Sequence, residues 1–271
     1  MKEDITMKTT TTNIHASIIR WSIVLALTLI PFSARGTTVA AEYATQDACG
    51  NATLGNAGGN ANGWMNTMQA FGYSRLFVYG NAAFWPDDIV RCSVTGGKAC
   101  VYDDRANIVF LESHGNSDAD KFRITTGVTH TIDGQSTCRA WTHNPSTLNP
   151  WYSIGENNMR ILSLVSCHSL QLTDLAHWDG VTPRLHMITG GDGDLYDNAG
   201  RGANYAFYGS LPWGTVKQAW FASHWYGHET AVVMAYGVNA SDAFNRRDNE
   251  RFNWSMAPLG PHTYRAWSWI H

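Results

Sequence analysis

Two stretches of the sequence end an apolar run on a residue that can do acid-base or nucleophilic chemistry. Ile108–Leu111 is followed by His114-Gly115, and the apolar run within Met159–Leu170 stops at Cys167. Short apolar runs bounded by polar residues are typical of buried strands in a parallel sheet, and such strands present functional groups at their carboxyl ends. If the two strands are neighbours, the imidazole of His114 and the thiol of Cys167 meet in one crevice.

A Cys/His dyad is the chemistry that these residue types favour. A free thiol is mostly protonated at neutral pH, and an adjacent imidazole either accepts its proton or stabilises the thiolate. Gly115 permits close approach of a substrate, and its N–H with that of Cys167 would form an oxyanion hole. The alternative is an inert buried cysteine and a strand-end histidine that never meet.

These motifs resemble those of the caspase–haemoglobinase clan of cysteine peptidases, and Ser166-Cys167-His168-Ser169 is most similar to the metacaspases. The resemblance implies a three-layer caspase-like sandwich, with His114 as general base and Cys167 as nucleophile. Two positions depart from the pattern. Val165 stands where metacaspases carry an Asp that binds a basic substrate side chain, and Leu170 replaces their Gly.

The remaining patterns predict an α/β fold, with a sheet of mainly parallel strands and helices on both faces. The further predicted strands or apolar elements are Glu42–Ala44, Ser74–Tyr79, Arg184–Thr189 and Glu229–Tyr236. The predicted helices are Gly63–Phe71, one starting near Trp85-Pro86, one after Cys167 reaching Ala176, Tyr205–Tyr208 and Val216–Trp225. The polar residues of about 117–158 are predicted to be a long insertion that serves as a binding loop region. The segment from Trp178 to Trp225 also resembles an uncharacterised bacterial secreted family, which adds no function.

The N-terminus has the pattern of a secretory signal. Basic residues precede the apolar run Trp21–Phe32, and Val39-Ala40-Ala41 resembles an A-x-A cleavage site. The sequence therefore predicts a signal peptide over residues 1–41 and one α/β domain over residues 42–271. An uncleaved anchor is the alternative. The net charge of −3 gives no basic excess that would suggest nucleic-acid binding.

Five cysteines in an exported chain indicate two disulfides and one free thiol. Cys92 and Cys100 flank a turn that contains Gly96-Gly97, so these two are candidates for one bridge. Cys49 and Cys138 would form the second, which leaves Cys167 free as a nucleophile requires. Four cysteines allow three connectivities, and the sequence alone does not choose among them.

The loop after the Arg184–Thr189 strand carries three carboxylates, Asp192, Asp194 and Asp197. They suggest a calcium loop or, for Asp192 and Asp194, an acidic wall for a basic substrate group. The third possibility is that they bond their own backbone in turns. EF-hand spacing is absent, so calcium is only a possible cofactor. His224 and His228 have a spacing that binds zinc on a helix, but the order typical of metallopeptidases is absent, and packed histidines are favoured over a metal site.

Two functions fit these observations. The first is an exported, secreted or periplasmic cysteine endopeptidase, which hydrolyses a peptide or protein substrate through a thioester on Cys167 without a cofactor. It would have no membrane association after signal cleavage. The second is a catalytically diverged caspase-like module that binds a peptide or a glycan.

Overall fold

The computed structural model describes residues 36–118, 121–147, 149–151, 155–178, 180–224, 228–253, 262 and 264–270. The predicted signal peptide lies outside these residues up to position 35. Within the described ranges, no helix has the length and apolar composition needed to cross a membrane.

The described strands form one large sheet and one small sheet. The strands are β1 (Thr38–Tyr43), β2 (Ser74–Gly80), β3 (Ile108–Glu112), β4 (Gly115–Asp118), β5 (Lys121–Ile132), β6 (Gln135–Trp141), β7 (Ile161–Val165), β8 (Met187–Gly191), β9 (Ala231–Gly237) and β10 (Tyr264–Ile270). Seven strands form the large sheet in the order β10-β9-β8-β7-β3-β1-β2, and β4-β5-β6 form the small one.

The large sheet is mainly parallel, as predicted. Strands β2, β1, β3, β7 and β8 run parallel to one another, whereas β9 pairs antiparallel with β8, and β10 pairs antiparallel with β9. Its central strands are buried on both faces, which explains why their sequences are continuous apolar runs. The predicted mixed α/β fold class is confirmed.

A separate hydrophobic core covers each face of the large sheet. On one face lie residues of the helices α1 (Ala57–Ala70), α2 (Arg201–Ser210) and α3 (Val216–Ser223). The other face is covered by the small sheet and by short 3₁₀ segments such as Leu175–Trp178. A fourth helix, α4 (Ala240–Asn249), packs against β9 and β10. We call the face with α1, α2 and α3 the helical face.

Strand β1 corrects the predicted domain boundary. Val39, Ala40 and Ala41 are fully buried in a strand that pairs with both β2 and β3. The triplet that resembled a cleavage site therefore belongs to the core of the sheet, and cleavage after Ala41 would remove most of β1. The α/β domain begins at Thr38 or earlier, whereas the sequence analysis placed its start at residue 42.

The insertion predicted over residues 117–158 is largely a sheet rather than a loop. Strands β5 and β6 form an antiparallel hairpin whose two connecting residues, Asp133 and Gly134, both have positive φ angles of 48° and 74°. Two-residue turns of this kind match the twist of the flanking strands and favour the Asp-Gly sequence. The small sheet begins at Gly115, directly after His114.

The prediction of a helix between Cys167 and Ala176 is also wrong. Between residues 168 and 178, the only helical element is the 3₁₀ segment Leu175–Trp178. His168 has a φ of 56°, which a regular helix does not allow. The indole of Trp178 donates to the Ser169 carbonyl, and the Leu172 N–H donates to Asp192 Oδ1. Side chains thus form hydrogen bonds with backbone groups that would be paired with each other in a helix.

Candidate active site

His114 and Cys167 follow two neighbouring strands in matching register. Strands β3 and β7 pair in parallel from Ile108–Ile161 to Glu112–Val165. The Ser113 N–H then donates to the Val165 carbonyl at 3.3 Å, which extends the pairing by one step. The next residues in register are His114 and Cys167. The structure therefore brings the two predicted residues to the same carboxyl edge of the sheet.

Gly115 marks how closely the two strand ends approach. A Cβ atom on Gly115 would lie 2.1 Å from Ser166 Oγ and 2.8 Å from the Cys167 carbonyl oxygen. Real Cβ atoms do not tolerate such distances, so only glycine fits where the chain crosses from β3 to β4. The backbone after His114 consequently packs directly on the Ser166 hydroxyl and the Cys167 carbonyl.

The imidazole of His114 is held by the loop that precedes α1. Its Nε2 lies 2.6 Å from the Ala52 carbonyl oxygen. A carbonyl oxygen only accepts hydrogen bonds, so Nε2 carries the proton, and Nδ1 is the basic nitrogen of the neutral ring. This hydrogen bond fixes the orientation of the imidazole ring, as is expected for a general base.

The thiol of Cys167 is partly buried on the other side of the site. Its Sγ donates to the Leu195 carbonyl at 3.7 Å. Burial raises the pKa of this thiol, and the negative charges of Asp194 and Glu229 raise it further. The resting thiol is therefore protonated at neutral pH, and a preformed thiolate–imidazolium pair is disfavoured. The site suits a base that removes the proton during the reaction.

The two acidic residues proposed as a substrate wall have different environments. Asp194 is 76% exposed, and its Oδ1 lies 3.3 Å from Nε2 of His168. The carboxylate of Asp192 accepts the Leu172 N–H, a backbone group 20 residues away, which is not the local turn bonding considered as the third possibility. The charge of Asp194 raises the pKa of the Cys167 thiol, whereas Asp192 is not among the charges that act on it.

The third carboxylate of this loop, Asp197, accepts the N–H of Asn56 at 2.8 Å. In the described part of the chain, no group of three or more His, Cys, Asp or Glu residues is arranged to hold a metal ion. The positions of these carboxylates give no support to the hypothesis that the loop binds calcium.

His224 and His228 do not form the zinc-binding face that their spacing allowed. Helix α3 ends at Ser223, so His224 follows its last residue and His228 lies beyond it. His224 is buried, with Nδ1 2.8 Å from the Trp220 carbonyl, and burial holds the pKa of this imidazole well below its usual range. Its ring packs on Trp220, as expected for a structural histidine. Trp225 and Tyr226, the aromatic residues that follow His224 in sequence, lie outside the described residues.

The cysteines pair as the sequence analysis favoured. Cys49 bonds to Cys138, Cys92 bonds to Cys100, and Cys167 is free. The Cys49–Cys138 bridge connects the loop that carries Ala52 to strand β6. Disulfides of this kind are typical of proteins that fold in an oxidising compartment.

Val165 and Leu170, the departures from the metacaspase pattern, are both buried in the cores. Val165 faces the helical core beneath the site, and Leu170 packs in the opposite core. Neither side chain offers a polar contact to a substrate.

Several residues near the site were not identified from the sequence. Glu112 is buried at the end of β3, where Asn60 donates to its Oε1 at 2.9 Å, and burial raises its pKa to about 8. Arg201 and Glu229 form a buried ion pair behind Leu195. The one available signal was Glu112 itself, a charged residue that ends an otherwise apolar strand.

A family model described as Domain of unknown function (DUF6345) matches residues 41–270. The match covers more than half of the chain and includes both His114 and Cys167. No curated protein matches the chain.

Proposed function

We propose that this chain, which belongs to the DUF6345 family, is a cysteine endopeptidase with Cys167 as nucleophile and His114 as general base. The β3–β7 register, in which both strands end at one sheet edge just before His114 and Cys167, is the observation that carries the proposal. The free thiol of Cys167 in a chain with two disulfides supports it. The resemblance of the two motifs to the caspase–haemoglobinase clan supplies the reaction class.

In the proposed reaction, Nδ1 of His114 accepts the thiol proton as Sγ attacks the carbonyl carbon of a peptide bond. The imidazolium gives this proton to the departing amine, and the C–N bond breaks to leave a thioester. Water then loses a proton to His114, hydrolyses the thioester and regenerates the thiol. The N–H groups of Gly115 and Cys167 are the proposed donors to the oxyanion.

The raised pKa of the Cys167 thiol and the exposed position of Asp194 are consistent with a thiol that becomes reactive only when substrate is bound. A peptide that covers the thiol also excludes water, which strengthens a hydrogen bond that forms between Sγ and the base during the reaction. An exported location, with peptide or protein substrates and no cofactor, is part of the proposal. The two disulfides support that location.

The second candidate is a diverged module that binds a peptide or glycan without turnover. It is favoured by the protonated thiol and by the apolar residues at Val165 and Leu170. Among the hydrogen bonds of His114 and Cys167 in the described residues, none joins the two side chains directly, whereas His114 contacts Ala52. The two candidates differ in whether His114 changes the reactivity of Cys167.

Turnover of a fluorogenic peptide library, measured without reductant, tests the proposal. We expect Cys167→Ala to abolish turnover and His114→Ala to lower kcat by roughly 10²–10⁴-fold. His168→Asn is the matched control, because it removes the neighbouring imidazole while Asn tolerates the positive φ at this position. Circular dichroism verifies that each variant folds. Unchanged labelling of Cys167 by an electrophilic peptide probe in His114→Ala would favour the binding module.

A further inference from the structure

A buried ion pair lies directly behind the proposed nucleophile. Arg201, the first residue of α2, donates through Nη2 to both carboxylate oxygens of Glu229 at 2.6 and 2.7 Å. The two side chains are 1% and 0% exposed. Burying two charges removes their hydration, which their attraction offsets only partly, so stability alone is a poor reason for such a pair.

The same two side chains clamp the backbone of Tyr196. The Tyr196 N–H donates to Glu229 Oε1 at 2.5 Å, and Arg201 Nη1 donates to the Tyr196 carbonyl at 2.6 Å. Both polar backbone groups of one residue are thus fixed by charged partners. The preceding carbonyl, that of Leu195, is the one that accepts the Cys167 thiol.

The segment also reaches the loop that orients the base. Asp197 accepts the Asn56 N–H through Oδ2 at 2.8 Å, and its carbonyl accepts the Asn56 side-chain amide at 2.6 Å. Asn56 precedes α1 and follows Ala52 by four residues. We call Leu195–Asp197 the strap, since it contacts the nucleophile at one end and the base loop at the other.

We infer that Arg201 and Glu229 are positioning residues, which hold the strap so that Cys167 and His114 keep their relative placement. This inference rests on the proposed function of the dyad. Neither residue touches the reacting atoms, so each acts through Tyr196 and its two neighbours in the strap.

The pKa of the Cys167 thiol provides a measurement that a purely structural role of Arg201 and Glu229 would not change. The charged groups that act on the thiol are Asp194, from the loop after β8, and Glu229, from the segment before β9, while His114 and His168 are the nearby imidazoles. In Glu229→Gln, Arg201 remains cationic because its guanidinium does not lose a proton, so the pKa of the thiol falls. Arg201→Gln retains the Glu229 carboxylate, whose negative charge still acts on the thiol, so this fall is not expected in that variant.

The test is the pH dependence of iodoacetamide alkylation at Cys167, quantified by mass spectrometry on non-reduced protein. We expect Glu229→Gln to speed alkylation at pH 7.5 by roughly threefold or more, and Arg201→Gln not to speed it. Glu250→Gln is the matched control, since Glu250 is an equally buried carboxylate that lies beside His186 instead. Faster alkylation in both site variants would mean simple loosening and would overturn the inference, as would wild-type rates in both.

A second measurement covers variants that fold poorly and separates this inference from the proposed function. Arg201→Lys keeps the positive charge but cannot donate to Tyr196 and both Glu229 oxygens in the same fork. We expect a wild-type alkylation profile with at least tenfold lower kcat, and wild-type kcat would contradict the clamp. If the wild type has no peptidase activity, the alkylation comparison still decides the clamp, while the proposed function alone fails.

Discussion

The Ala52 carbonyl oxygen lies 2.6 Å from Nε2 of His114, and the loop that carries Ala52 is fastened by the Cys49–Cys138 disulfide. One backbone group thus selects the tautomer of the proposed base. The disulfide joins this loop to β6 of the small sheet. Orientation of the imidazole therefore depends on a covalent link that is distant in sequence and formed only under oxidising conditions.

The two disulfides should differ in their effects on stability and activity. In the chain-entropy account, a bridge between residues 89 positions apart contributes about 4–5 kcal/mol, and one spanning 8 positions about 2–3 kcal/mol. We expect the Cys49→Ala/Cys138→Ala double variant to lose more free energy of unfolding, measured with urea, and to lose turnover. The Cys92→Ala/Cys100→Ala double variant is the matched control and should keep turnover. Equal losses in the two would contradict a specific role for the Ala52 loop.

Gly115→Ala should separate the two strand ends. The added Cβ meets Ser166 Oγ and the Cys167 carbonyl, so we expect a loss of about 1–3 kcal/mol of stability together with lower turnover. Gly59→Ala is the control, because Gly59 lies exposed in α1 with no atom within 4 Å of a new Cβ. It should gain about 0.5–1 kcal/mol, as Ala favours helix over Gly. Wild-type stability and turnover in Gly115→Ala would show that the crossing is looser than described.

The strands that carry His114 and Cys167 were predictable because each is short, apolar and buried on both faces. Their adjacency was a hypothesis, since sequence does not encode which parallel strands are neighbours. The small sheet was missed although Asp133-Gly134 between β-rich segments is a strong hairpin signal. The polarity of residues 117–158 favoured a loop, whereas β4–β6 have polar exposed faces that an antiparallel sheet tolerates.

The polar network behind Cys167 lay beyond sequence reasoning. Arg201 and Glu229 are 28 residues apart in sequence. Arg201 is the first residue of α2, Glu229 precedes β9, and no sequence motif links the two positions. The carboxylates of the 190–202 loop could not be assigned either, because their roles depend on which backbone groups come near. Asp192 and Asp197 bond N–H groups, and Asp194 alone stays exposed at the site.

Asp194 should contribute to substrate preference if the chain is a peptidase. Its carboxylate contacts His168 but is largely exposed, so it can pair with an Arg or Lys side chain of a substrate. We therefore expect Asp194→Asn to weaken a preference for basic residues at the cleaved position. Asp192→Asn is the matched control, because that carboxylate accepts a backbone N–H within the fold. Profiling a peptide library with the three proteins gives the comparison. Indifference of the wild type to basic residues would remove this role.

Stability should fall as the pH rises, because of a buried acidic cluster on the face opposite α1. Burial raises the pKa of Asp88 to about 7, with Asp87 adding to the shift. Glu42 from β1 and Asp103 from a 3₁₀ segment are fully buried beside it, and burial likewise raises their pKa values well above the usual range. Lys98 is the nearby cation, paired with Asp87 at 2.8 Å.

The sign follows from comparing the folded and unfolded states of Asp88. Between pH 4 and pH 7 the folded carboxyl keeps a proton that the unfolded chain has released, so the stabilisation present below this window is lost as the pH rises through it. His224 acts in the opposite direction below about pH 6.5, because burial lowers the pKa of its imidazole. A variant comparison cancels the contribution of His224.

Asn at position 88 mimics the protonated acid, since it is neutral and its oxygen can still accept the Trp85 N–H. We therefore expect Asp88→Asn to match the wild type at pH 5 and to exceed it at pH 8 by roughly 1–3 kcal/mol in the free energy of unfolding. Asp87→Asn is the contrasting control, which breaks the ion pair with Lys98 and should lose stability at pH 8. Urea denaturation at both pH values measures the differences. A constant gap between Asp88→Asn and wild type across this range would show that Asp88 does not titrate within it.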